Sequence, residues 1–107
     1  MPKKIPKSSW VKQAKEQIIL GKTVQVRPLG GSMRGRIESG QLVTLQPTTF
    51  EHVKVGDIVF IKWKNNYLLH LIKEIKDKRV LIGNNLGKIN GWISAKDILA
   101  KVTCIED

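Results

Sequence analysis

From Gly30 to Val43 the chain reads GGSMRGRIESGQLV, with Ser32 set among glycines. Nucleophilic catalysis needs a hydroxyl on an exposed turn, a base within hydrogen-bond reach, backbone N–H groups for the developing oxyanion, and usually a third group to orient the base. Gly30, Gly31 and Gly35 give Ser32 the first of these, because glycine lets the backbone turn sharply and a substrate strand come close. The amide of Ser32 and one near it could then face a carbonyl oxygen. Glycine-flanked serines also occur in ordinary turns, so the local pattern leaves both roles open.

Only two histidines are available as a base. His52 lies in the polar segment TTFEHVKVGD, where a solvated surface position is expected. His70 sits mid-strand in YLLHLIKEI, with Leu68 and Ile72 on its own face and Tyr67, Leu69 and Leu71 on the other. A histidine among apolar strand residues can be a hydrogen-bonded core residue. With an unperturbed pKa of about 6.5, it is equally the side chain best suited to take a serine proton near neutral pH. Lys73 is three residues further on, which on a regular strand is the opposite face, and a surface position is expected for it.

These residues need a scaffold, and the chain offers one domain. Its 107 residues suit a single modest core. The opening MPKKIPK reads as a basic arm, residues 1–7, ahead of a domain at 8–107. No apolar run approaches the roughly 20 residues that span a bilayer, and no signal-peptide pattern is present, so a soluble, cytoplasmic protein is expected. Cys104 lies in an alternating apolar segment and is expected to be a buried, inert thiol. No metal or cofactor is implied. The net charge of +10 attracts polyanions, so an acidic or nucleic-acid partner on a basic surface is one expectation; the lysines are scattered, however, which suits a solvated surface equally well.

Ser8–Leu20 places Trp10, Val11, Ala14, Ile18 and Ile19 at helical spacing, after serines that can cap and before Gly21, which can terminate. After Gly21 the period changes. KTVQVRPL and QLVTLQP alternate and break at Pro28 and Pro47, and DIVFIKW follows the turn Val55-Gly56-Asp57. Lys64-Asn65-Asn66 reads as a hairpin loop into YLLHLIKEIK, and Asp77-Lys78 as a turn into RVLIG. GNNLGKINGW is too rich in Gly and Asn to be regular. Ser94 with Asp97 resembles a capping box, and a last strand runs Ile98–Ile105. The reading predicts a mostly-β domain over 22–107 behind one N-terminal helix: a small, coiled, partly open barrel or sandwich, its strands paired mainly with sequence neighbours.

In this order the pieces GGSM, IESGQLVTL, VGDIVFIK, a strand carrying the base, GNN and a final strand resemble the catalytic domain of type I signal peptidases and LexA-type self-cleaving repressors, over about residues 24–105. The resemblance implies a coiled all-β fold and makes Ser32, which precedes Met33, the nucleophile. Most members of that clan use a lysine base, whereas endoplasmic-reticulum and archaeal-type signal peptidases carry a histidine there, which makes His70 the implied base of a serine-peptidase-like domain. The implied oxyanion donors are the amides of Ser32 and of Gly31 or a close neighbour.

Histidine-type members carry an aspartate soon after the segment like GNN, and here no acid appears between Gly83 and Asp97. Asn84 or Asn85 could orient the imidazole, or could hold the loop through side-chain to backbone bonds. Gly35 stands where proline is common. Two further readings remain: a non-catalytic binding module of the same fold, and a basic nucleic-acid-binding β domain with Trp10, Trp63 and Trp92 as stacking platforms, against which Trp10 on the helix's apolar stripe is expected in the core and Trp92 in INGW to pack the loop.

Overall fold

The computed structural model describes residues 9–31 and 33–107; the basic arm at 1–7 and Ser32 lie outside the described residues. One helix, α1 (Ser9–Ile19), precedes seven strands: β1 (Val24–Val26), β2 (Leu42–Pro47), β3 (Ile58–Trp63), β4 (Asn66–Lys76), β5 (Arg79–Gly83), β6 (Ile89–Ser94) and β7 (Ile98–Glu106). They form one antiparallel sheet in the order β1-β2-β7-β3-β4-β5-β6, which does not close, so β1 and β6 are its edges. The mostly-β domain with one leading helix is therefore the observed fold. Among the described residues no helix is long and apolar enough to cross a membrane.

Helix α1 ends as its sequence predicts. Gly21 takes φ +76, its N–H donates to the Ile18 carbonyl (2.9 Å), and the Lys22 N–H reaches the Gln17 carbonyl (3.0 Å). This is the Schellman pattern, in which a glycine in left-handed conformation satisfies the last free carbonyls. Trp10, Val11, Ala14 and Ile18 turn to the sheet, but Ile19 is 69% exposed. One residue past the buried Ile18, it is turned about 100° around the helix and away from the core.

The sheet has two apolar faces, and β3 divides them. Ile58 and Phe60 belong to one cluster, with Val24, Val26, Met33, Ile37, Val43, Leu45, Leu69 and Leu71 beneath α1. Val59 and Ile61 belong to a second, with Ile72, Val80, Ile82, Ile93 and Ile98. A strand covered on both sides reads as a continuous apolar run, as DIVFIKW does. Phe60 carries the contact to the helix: its ring meets Trp10 edge-on at 6.1 Å and stacks on Tyr67 at 5.8 Å.

Among the described residues, four of the six strand pairings join sequence neighbours, as expected, while β7 inserts between β2 and β3 and pairs with both. Three expectations need correction. GNNLGKINGW is partly regular, since β6 runs Ile89–Ser94 with a bulge that leaves Asn90 unpaired between Ile89 and Gly91. Gly91 is there for packing: it has φ +151, and a Cβ on it would stand 2.9 Å from Trp63 Cη2. Ser94 opens a 3₁₀ turn, Ala95–Asp97, without a side-chain capping bond. Cys104 is exposed, because the end of β7 from Thr103 onward runs past both cores.

Phe60→Ala is expected to cost about 3–5 kcal/mol in urea unfolding, the range for a large buried aromatic. A loss under about 1 kcal/mol would mean that α1 is not held by this ring.

Candidate functional site

The segment around Ser32 is a compact loop tied from both ends. Met33 is buried in the first cluster, and its carbonyl accepts the N–H groups of Arg36 (3.0 Å) and Ile37 (2.8 Å). The Gly30 N–H donates to Ser39 Oγ (3.1 Å) and the Gly35 N–H to Glu38 Oε2 (2.7 Å). At the base of the loop, the Gly40 N–H donates to the Pro28 carbonyl (2.9 Å) and Arg27 Nη1 to the Gly40 carbonyl (2.8 Å). Gly30, Gly31, Arg34, Ile37, Glu38 and Ser39 line a hollow of about 300 Å³ beside it.

Gly35, where the resembled family often has proline, has φ +94. Proline is held near −65° and cannot take this angle. A side chain here would also press on Asn85, whose Nδ2 lies 2.9 Å from the Cβ position. Asn85 Nδ2 donates to the Arg34 carbonyl at 2.8 Å, joining the Ser32 loop to the loop between β5 and β6. Arg34 is the residue that sequence reasoning missed. It carries this junction, and its guanidinium covers Gly31, with Nη2 3.1 Å from the Cβ position there. In the sequence it was one of 19 basic residues with nothing to distinguish it.

Asn84 holds the other loop from within. Its Oδ1 accepts the N–H groups of Leu86 and Lys88, both at 2.9 Å, and its own N–H donates to the Lys88 carbonyl at 2.9 Å. The two asparagines thus hold the loop together, one of the two roles expected of them, and none of these bonds reaches His70.

His70 is 8% exposed, the one buried polar side chain among the described residues. It stands directly opposite Val59 on β3. Opposed residues of an antiparallel pair point the same way, so its ring lies on the face of the second cluster, whereas Met33 and Ile37 anchor the Ser32 loop in the first. His70 Nδ1 lies 2.6 Å from the Leu69 carbonyl oxygen. A carbonyl can only accept, so Nδ1 carries the hydrogen and, in the neutral ring, Nε2 keeps its lone pair. Burial pushes the His70 pKa down, the positive charge of Lys88 acts in the same direction, and the Leu69 bond opposes them. Lys88 belongs to the loop that Asn84 shapes and Asn85 joins to Arg34.

Lys73 departs from its expected surface position. The register of β4 against β5 shifts between Ile72 and Glu74, so Lys73 has no partner across the pair. Its stem is half-buried over Gly83, with Cε 3.2 Å from the Cβ position there. Strand alternation fails at a bulge, which is why its face could not be read from spacing. His52 is exposed on a 3₁₀ turn, Phe50–His52, as expected, and its carbonyl accepts Lys101 Nζ at 3.0 Å.

No protein-family model matches the chain, nor does any curated protein or solved structure.

The lowered His70 pKa has a consequence for stability. Above about pH 6.5 the imidazole is neutral whether the chain is folded or not; below it the unfolded chain takes the proton first. Stability should therefore fall as the pH drops below about 6.5, until folded His70 itself protonates. Melting temperatures from pH 7.5 to 5 should show this fall in the wild type and a shallower one in His70→Leu; parallel curves would refute it. Gly35→Pro should destabilise by more than about 1 kcal/mol in urea unfolding, since it needs a forbidden φ and removes the N–H bonded to Glu38.

Proposed function

We propose that the chain is a serine-peptidase-like domain of the signal peptidase and LexA type, in which Ser32 is the nucleophile and His70 the general base. The observation that carries the reading is the state of His70: buried and held toward neutrality, with Nδ1–H engaged by Leu69 and the Nε2 lone pair left to accept a proton. This is the tautomer a general base needs, and here a backbone carbonyl does the orienting that an aspartate does in the resembled histidine-type members. The Asn85 to Arg34 junction further supports it, because it ties the loop carrying Lys88 to the loop carrying Ser32.

In this mechanism an extended peptide lies beside the Ser32 loop, its scissile carbonyl in the hollow at Gly30 and Gly31. Neutral His70 takes the Ser32 proton through Nε2 as the hydroxyl attacks the carbonyl carbon. The N–H of Ser32 and that of Gly31 or a close neighbour hold the oxyanion. The protonated imidazole then gives its proton to the leaving amine, and water later releases the acyl group by the same base. The step requires Ser32 Oγ to reach within about 3 Å of Nε2, although Met33 and Ile37 anchor its loop in the first cluster and His70 lies on the face of the second.

Incubation with a random peptide library, read by mass spectrometry, tests the reading. Cleavage should disappear in Ser32→Ala and in His70→Ala, and the double variant should lose little more than either, because the two groups act as one unit. The rate should rise with pH through a midpoint below about 6.5, the ordinary value, since burial lowers the pKa. Cleavage that survives Ser32→Ala, or additive losses, would overturn the dyad.

A further inference from the structure

The three tryptophans have separate fates. Trp10 packs in the first cluster and Trp63 in the second, while Trp92 on the edge strand β6 stays 36% exposed. Val80, Ile82 and Ile93 point into the second cluster, so their alternate neighbours Arg79, Leu81 and Trp92 face outward. Leu81 stands opposite Trp92, and Arg79 stands two residues from Leu81 on the same face. Arg79 is in turn opposite Lys76 across the β4–β5 hairpin. Lys76, Arg79 and Trp92 thus share a shallow cleft of about 120 Å³ with Asp77 of the turn, and Glu74, opposite Leu81, is a second acid on the same face.

This arrangement is costly for a free surface. Like charges placed directly opposite on neighbouring strands repel, and an exposed indole on a sheet face forgoes burial. The turn between them adds to the constraint: Asp77 and Lys78 both take positive φ (52 and 59), which closes the hairpin in two residues and holds Lys76 against Arg79. A ligand that brings an anion to the two cations and a π-face to the indole would relieve both costs. A carboxylate side chain has the charge without the ring. A nucleotide has both, and its base presents a free face only when unpaired.

We propose that this outer face of the β4–β5–β6 ribbon binds single-stranded nucleic acid, with a base stacked on Trp92 and phosphates between Lys76 and Arg79. The net charge of +10 supplies the long-range attraction, and the cleft supplies the contact. The site is independent of Ser32 and His70, so it stands or falls separately from the peptidase reading.

The test is fluorescence anisotropy of a fluorescein-labelled twelve-residue oligothymidylate titrated with the full chain at several salt concentrations. Trp92→Ala should weaken binding about tenfold, and Trp92→Phe, which keeps a stacking ring, should restore most of it. The Lys76→Ala/Arg79→Ala variant should lower the salt slope by about 1.4, for two lost phosphate contacts. Removing two exposed charges elsewhere, in Lys12→Ala/Lys22→Ala, should change affinity much less. Equal binding by wild type and Trp92→Ala, an equal loss in the Lys12/Lys22 control, or displacement by polyglutamate as effective as by unlabelled oligothymidylate would overturn the proposal; the last would point to an acidic protein instead.

Discussion

The two-sided burial of β3 is the constraint on which the rest of the structure depends. Ile58 and Phe60 face the helix side, and Val59 and Ile61 face the other, so this single strand must be covered twice. Helix α1 and the Met33–Ile37 segment cover the first face. Strands β4, β5 and β6 wrap their inward residues around the second, joined by the start of β7. Had β7 paired with β6, β2 and β3 would have been left with open edges beside the first cluster. Its insertion between them lets Ala100 complete that cluster and Ile98 the second.

The candidate site grows from the same division. His70 is opposite Val59 and inherits the burial of that row, which is what presses it toward the neutral form. The Ser32 loop is nailed to the first cluster by Met33 and Ile37. What connects the two is polar: Asn84 shapes the loop after β5, and Asn85 fastens it to the Arg34 carbonyl. Each such bond contributes on the order of 1 kcal/mol, so the connection is modest in energy and specific in geometry.

Glycine shows how the same residue type carries different constraints. At Gly35 the backbone sits in a conformation closed to proline, and the space beside it belongs to Asn85. At Gly91 the constraint is the ring of Trp63. A sequence shows only that both are small. The glycines and asparagines of GNNLGKINGW predict irregular backbone, yet its last four residues are strand, because one glycine makes room for an indole and a bulge absorbs Asn90.

Local chemistry decided much of this protein from the sequence alone. Helix α1 and its Gly21 stop, the alternating strands and the tight turns at Lys64 and Asp77 rest on interactions within a few residues, which composition and period report directly; the period also names the apolar faces on which Trp10 and His70 fall. Only the tertiary structure decided the place of β7, the half-burial of Lys73 at a bulge, the exposure of Cys104, Ile19 and Trp92, the role of Arg34, and the burial of His70 beside Val59. Each of these depends on which distant segment lies alongside. A strand's period names its two faces but not its neighbours, and a side chain's chemistry names its bonds but not the partner that will be there to make them.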